Sequence, residues 1–300
     1  MIKESLFAAE EREAKLDRLG DVLQVMEQQV DFKALAMEYQ VLDRLSFQRF
    51  LGLRRSSQIP DRTTFWTFRE RLTVAKAGDA LFEAVHRQLA QHGYIARGGQ
   101  IVDASLVLVP RQHVTEEERQ LIKQQAMPVG WKPAQRRQKD TEATWTQKHG
   151  KSYFGYKVSV SADRRYKRIR KVKVSTASEN DTLHLEDVLD HANTSRDLYG
   201  DKGYVDGGRE HRLKAQGWRV HIQRKAQKGK PLSACQERRN TRIARVRARV
   251  EHVFATLAQM GGKRLQCIGL DRATFQLTGK VATYNLRRRC SLKACGVVAF

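Results

Sequence analysis

The chain has 300 residues, 40% of them hydrophobic, enough to bury a main core and a smaller companion. Its 56 Lys and Arg outnumber 33 Asp and Glu, and the resulting charge of +23 calls for a polyanionic partner, most simply nucleic acid, bound with strong salt sensitivity. Cys235, Cys267, Cys290 and Cys295 form no CxxC pair, which argues against a zinc site. There is no signal peptide and no apolar run of bilayer length, so the chain reads as cytoplasmic, off the membrane, with reduced thiols.

Residues 1–40 are net acidic, so the basic surface lies after them. Residues 4–50 read as helices: Leu16, Leu19, Leu23, Met26 and Val30 recur at three- to four-residue spacing, a packed face or a dimer seam. "VLDRLSFQRF" is a second helix that Gly52 can cap, and "IPDRTTFWTFRERL" a further one with Asp61 at its start. Arg62 and Arg69 on the latter make a DNA-contacting helix-turn-helix or a plain helical hairpin. "AGDALFEAVHRQLAQHGY" adds another helix before Gly93.

From residue 99 the pattern turns to strands. "IVDASLVLV" is the first; residues 111–151 then read as a basic, mobile loop broken by Pro128, Gly130 and Pro133. "SYFGYKVSVSAD" and "RIRKVKVSTAS" form an antiparallel hairpin around "RRYK", and "NDTLHLEDVLDHA" reads as a helix. "RDLYGDKGY" is a short strand ending in a Gly-flanked turn. "DGGREHRLKAQGW" is helical, "RVHIQ" a strand, and "KAQKGKPLSACQ" a basic linker. "ERRNTRIARVRARVEHVFATLAQM" and "DRATFQLTGKVATYNLRRR" are the closing helices. This order predicts an α/β domain, a mixed sheet flanked by helices.

Three acidic residues stand where ordinary packing would not put them. Asp103 interrupts an apolar strand, where an ionised carboxylate is costly unless paired, hydrogen-bonded or bound to a metal. Asp201 falls just past a strand tip, where α/β sheets gather ligands. Glu251 is about 100° round the long helix from Val250, beside the apolar stripe of Ile243, Val246, Val250, Val253 and Leu257. Carboxylates meeting in a cleft suit Mg²⁺ or Mn²⁺, and two such ions support phosphodiester chemistry. The plainer readings stand beside this one. Asp103 can bond a neighbouring backbone or Arg, Asp201 can be a turn residue, and Glu251 can pair with Arg247 one turn earlier.

"IVDASLVLVP", "KHGKSYFGYKVSV", "VSTASENDTLHLEDVLD", "RDLYGDKGY", "RVHIQRK" and "RRNTRIARVRARVEHVFATLAQMGGK" together resemble insertion-sequence transposases of the aspartate–aspartate–glutamate (DDE) class. Most similar is the family named after insertion sequence five, within the insertion-sequence-four-like superfamily. The likeness runs from about residue 40 to 289. It implies a ribonuclease-H-like catalytic core in which Asp103, Asp201 and Glu251 jointly hold two Mg²⁺ or Mn²⁺ ions. It implies DNA cleavage at an element's terminal inverted repeats and joining of the freed 3′-hydroxyl ends to target DNA. Arg247 matches the family's signature arginine, implied to contact DNA phosphate.

Two positions depart from the family pattern. Ala244 stands where a Tyr is usual and Ala258 where a Lys is usual, so those phosphate contacts are missing or come from elsewhere, Lys263 among the candidates. Relatives also carry a further Gly/Pro-rich and helical stretch between "VDFKAL" and "EYQVLDRLSFQRFLGL", so the end-binding region reads as shortened. The expected organisation is a helical, end-binding region at 1–95, a ribonuclease-H-like catalytic domain at 96–290 and a tail at 291–300. Lys202, Arg245, Arg249 and Lys263, with Arg62 and Arg69, would hold double-stranded DNA beside Arg247. Basic residues of 111–151 and 223–249 extend that surface, and Trp131 or Trp145 is either a base-stacking or a buried residue. A nucleoid-associated homo-oligomer assembled on DNA follows. A catalytically inactive DNA-binding remnant, and a ribonuclease-H-like nuclease without strand transfer, are the alternatives.

Overall fold

The computed structural model describes residues 41, 43–52, 59–124, 126–128, 130–227 and 229–297. The chain divides into two compact units, Met1–Arg71 and Leu72–Phe300. The stripe from Leu16 to Val30 lies outside the described residues.

In the first unit, helix α1 spans Leu45–Phe50, and α2, Arg62–Val74, begins there. Asp61 starts α2 by accepting a 2.7 Å hydrogen bond from the Thr64 backbone N–H, a role its short acidic side chain suits. Arg62 and Arg69 are exposed, and Arg69 Nη2 is 3.5 Å from Glu70 Oε1.

The second unit is built on a six-stranded mixed sheet. Its strands are β1 (Gln100–Leu108), β2 (Thr144–Lys148), β3 (Lys151–Asp163), β4 (Ile169–Thr176), β5 (Asp197–Gly200) and β6 (Arg219–Ile222). The order is β2-β3-β1-β5-β6, with β4 also paired to β3. β1 runs antiparallel to β3 and parallel to β5, and β5 is parallel to β6. β1 is thus central and covered on both faces, which explains its near-continuous apolar run. Residues Val107, Tyr156, Val158 and Val160 pack on one face with α3 (Ala77–Gln91), α7 (Ala234–Gln259) and α8 (Leu270–Ala294). Val102, Leu198 and Ile222 pack on the other, against Leu185, Val188, Leu189, Tyr204 and Trp218. The remaining helices are α4 (Glu116–Lys123), α5 (Pro133–Gln138) and α6 (Gly207–Ala215). This is the mixed α/β sheet flanked by helices expected of a ribonuclease-H-like fold.

Two expected elements differ. Residues 111–151 are not one loop: they contain α4, α5 and the edge strand β2. Thr115 opens α4 with a capping box closed by Glu118, and Asp140 ties the segment's end down by accepting from the Tyr156 hydroxyl at 2.8 Å. The expected helix at "NDTLHLEDVLDHA" is a short 3₁₀ turn, Asp181–His184, followed by turns. Leu185, Val188 and Leu189 are buried at helix-like spacing, but His184 is bridged to Glu179 and Asp187, which folds the segment tightly against the sheet. α8 continues past 290 to Ala294. Among the described residues, no helix is long and apolar enough to cross a membrane.

Candidate active site

Asp103 sits mid-way along β1, its side chain 18% exposed. Its Oδ1 accepts from the Ala104 backbone N–H at 2.9 Å and its Oδ2 from Arg247 Nη2 at 2.9 Å. Burial pushes this carboxyl up. The Arg247 guanidinium and the Ala104 N–H oppose that rise, and the carboxylates of Asp201 and Glu251 add to it. The cleft is marked by Arg247, whose Nη2 stands 2.9 Å from Asp103 and 3.9 Å from Asp201.

Asp201 follows β5 directly. Its Oδ1 accepts from the Gly203 backbone N–H, capping the 3₁₀ turn Lys202–Tyr204, and its Oδ2 stands 3.9 Å from Arg247 Nη2. Asp201 is therefore a turn residue and a neighbour of Asp103 at once. Glu251 lies on α7, exposed, next to the fully buried Val250. That long helix starts at a capping box of Ser233 and Gln236, earlier than the "ERRN" start expected, and buries Ile243, Val250, Val253, Phe254 and Leu257. The burial of that stripe leaves Glu251 exposed beside it.

Arg247 spans the cleft. Besides Asp103 and Asp201 it reaches Gln223, whose Oε1 accepts from Nη1 at 3.0 Å. Its Nε is buried and finds no partner among the described residues. The i,i+4 pair with Glu251 does not occur among the described ion pairs, where the partners of Arg247 are Asp103 and Asp201.

Lys263 Nζ donates to Ser105 Oγ, two residues along β1 from Asp103. Burial lowers its ammonium first and Lys148 lowers it further, while Glu251 and Asp103 pull it back. Lys202 is exposed beside Asp201. Arg245 and Arg249 are exposed on α7, and Arg249 Nη1 donates to the Arg164 carbonyl at 2.8 Å. Arg62 and Arg69 belong to the first unit.

Sequence reasoning missed two neighbours of this cleft. Tyr204 is 3% exposed, and its hydroxyl is unpartnered among the described residues. Burial, then the charges of Asp103, Asp181 and Asp201, hold its phenol well above the usual range. Gln223 was the other. Both follow the tips of parallel strands β5 and β6, the sheet edge where such folds place ligands, and that position was the available signal. The two tryptophans divide. Trp131 is 4% exposed and donates to Glu118, a packed role, whereas Trp145 is 44% exposed with the Arg111 guanidinium 5.5 Å from its ring centre.

The donor set fits divalent cations by chemistry: hard carboxylate oxygens from three elements, one of them partly buried and raised above its ordinary range by that burial. Among the described residues, however, no three acidic, His or Cys side chains are close enough to share one ion, and the Arg247 guanidinium bonds Asp103 and stands beside Asp201.

Comparison with known proteins gives three findings. The transposase DDE domain family matches residues 96–286. A second transposase-domain family matches residues 22–71. A transposase for insertion sequence element IS1106 from Neisseria meningitidis serogroup B is 28% identical over 229 residues, covering 74% of this chain and 76% of the relative. No solved structure matches.

Proposed function

The chain belongs to the transposase DDE domain family, a DDE-class insertion-sequence transposase, and from that premise we propose that it cuts DNA at its element's terminal inverted repeats and joins the 3′-hydroxyl ends to target DNA. Asp103, Asp201 and Glu251 are the catalytic carboxylates in this reading. The observation that carries it is the partly buried, mid-strand Asp103, which shares the Arg247 guanidinium with Asp201, at 2.9 Å and 3.9 Å. Two Mg²⁺ or Mn²⁺ ions, when bound, would neutralise these acids and polarise the phosphodiester.

The chain's own residues hold and orient the DNA. Arg247, with a planar fork of donors whose Nη2 faces Asp103 and Asp201, takes a phosphate oxygen next to the reacting phosphorus. Lys263, at the cleft and hydrogen-bonded to Ser105, supplies the cation that Ala258 does not. Lys202, Arg245 and Arg249 follow the backbone, and Arg62 and Arg69 contribute from an end-binding region within 1–95. In the joining step the 3′-hydroxyl oxygen bonds the target phosphorus while the target's own P–O3′ bond breaks, so no bond to protein forms. A homo-oligomer on DNA brings two ends together.

The test supplies pre-cut terminal duplexes, a target plasmid and Mg²⁺ to the full chain. Joined products are expected, and Asp103→Asn abolishes them while leaving duplex binding intact. On an uncut terminal duplex, binding without cleavage would identify an inactive remnant. Cleavage without joining would identify a nuclease.

A further inference from the structure

Arg247 is held from its far side by a contact that the proposed chemistry does not use. We propose that Gln223 is a positioning residue: it fixes the Arg247 guanidinium so that one N–H rests on Asp103 while the rest of the fork stays off the carboxylates. The inference rests on the metal-dependent reading above.

Gln223 follows β6, and its backbone N–H still donates to the Gly200 carbonyl at 3.2 Å, in register with the strand that ends at Gly200, just before Asp201. Its side-chain Nε2 donates to the Asn240 carbonyl of α7 at 3.2 Å, which turns Oε1 toward Arg247. Asn240 grips the next residue of the chain from both sides. Its Oδ1 accepts from the Arg224 N–H at 2.8 Å and its Nδ2 donates to the Arg224 carbonyl at 2.9 Å. Arg239 donates to the Ile222 carbonyl at 2.8 Å. The tip of β6 is thereby fastened to α7 two turns before Arg247, on the same side of the helix. Gln223 cannot drift along the helix, so its oxygen is a fixed stop for the guanidinium.

The consequence is competitive. A free guanidinium beside two carboxylates gains most by turning its fork onto both, the bidentate arrangement that suits it. In that pose it would oppose dication entry. Gln223 occupies Nη1 instead; Nη2 is 2.9 Å from Asp103 but 3.9 Å from Asp201, and Nε remains unpartnered. Gln223 therefore limits how strongly Arg247 competes with cations for the acids.

The test measures Mn²⁺ binding to the DNA-free full chain by electron paramagnetic resonance. Gln223→Leu lets the guanidinium fold onto the acids and weakens Mn²⁺ about fivefold, whereas Gln223→Glu draws it away and tightens Mn²⁺. In an Arg247→Ala background, Gln223→Leu changes the affinity by less than about twofold, because the residue it acts through is gone. If Gln223→Leu fails to fold, Gln223→Glu and its Arg247→Ala double variant still decide the matter, the tightening having to shrink when Arg247 is absent. A wild-type chain that takes up no Mn²⁺, or binds it equally well after Asp103→Asn, overturns the metal-dependent reading and this inference with it. Mn²⁺ binding that both Gln223 variants leave unchanged, or shift in the same sense, overturns this inference alone. So does an effect of equal size without Arg247.

Discussion

Asp103 and Arg247 are 144 positions apart in sequence and 2.9 Å apart in space. What made Asp103 legible beforehand was its misfit, an acid in an apolar strand, and the same was true of Asp201 at a strand tip and Glu251 beside an apolar stripe. The partner was not legible from Asp103, because spacing along α7 pointed Arg247 toward Glu251 as readily as across the cleft. Gln223 was invisible for the opposite reason: a glutamine after a short strand fits its local context, and only the fold brings it to Arg247. Buried titratable groups away from the cleft were equally silent in the sequence. His86 is 5% exposed, and Arg170 Nη1 lies 2.9 Å from its Nδ1. Burial, then the charges of Arg170 and Arg168, push its imidazole down to about 3. A histidine lowered in the fold binds fewer protons there than in the unfolded chain. The stability it lends is therefore complete above its ordinary value near 6.5 and is lost as pH falls toward about 3. Urea unfolding between pH 6 and pH 4 is expected to show the wild type losing about 1.4 kcal/mol per pH unit more than His86→Asn, which keeps an acceptor but does not titrate. Parallel pH profiles would remove His86 from the acid-unfolding account.

At the scale of elements, β1, the β3–β4 hairpin, β5 and β6 were read well because two-residue alternation and "RRYK" leave little choice of pairing, whereas the edge strand β2 was read as loop. The helices near the cleft were read less well. "NDTLHLEDVLDHA" has buried Leu185, Val188 and Leu189 at helical spacing, yet its polar side chains bond locally, as Asn180 does to the Thr182 N–H, and win over the helix. Residues 111–151 looked structureless because breakers and charges dominate their composition, although Thr115 followed three positions later by Glu118 was a readable helix start. One glycine decides how these strands meet. Gly155 pairs with Leu108 of β1 and Thr144 of β2, has φ +154°, and a Cβ there would overlap the Val107 carbonyl oxygen. Because the obstacle is backbone in the strand that carries Asp103, it cannot swing aside as a side chain would. Gly155→Ala is expected to cost about 3 kcal/mol, read as a lower urea midpoint at unchanged slope. A midpoint near the wild type's would mean that β1 and β3 separate more easily than their register implies.

For the whole molecule, the charge of +23 was the first quantity the sequence offered, and it constrains binding more than fold. The structure distributes that charge usefully. Arg242 and Arg245 are exposed on α7, the helix that carries Arg247 and Glu251, and Lys202 is exposed next to Asp201, so part of the basic surface lies on the elements that form the cleft. Residues that neutralise DNA phosphates release condensed counterions, so the logarithm of the binding constant falls linearly with the logarithm of salt, by about 0.9 per phosphate contact. Replacing Lys202, Arg242 and Arg245 together by Ala is therefore expected to flatten that slope by about 3 on any duplex, terminal repeat or unrelated sequence alike. These side chains are exposed and the substitutions leave the core untouched, so the thermal unfolding midpoint should not move. Fluorescence anisotropy over a salt series makes the measurement. A slope unchanged on both duplexes would put the phosphate-binding surface on other parts of the chain. A change confined to the terminal repeat would mean that these residues read the end rather than the backbone.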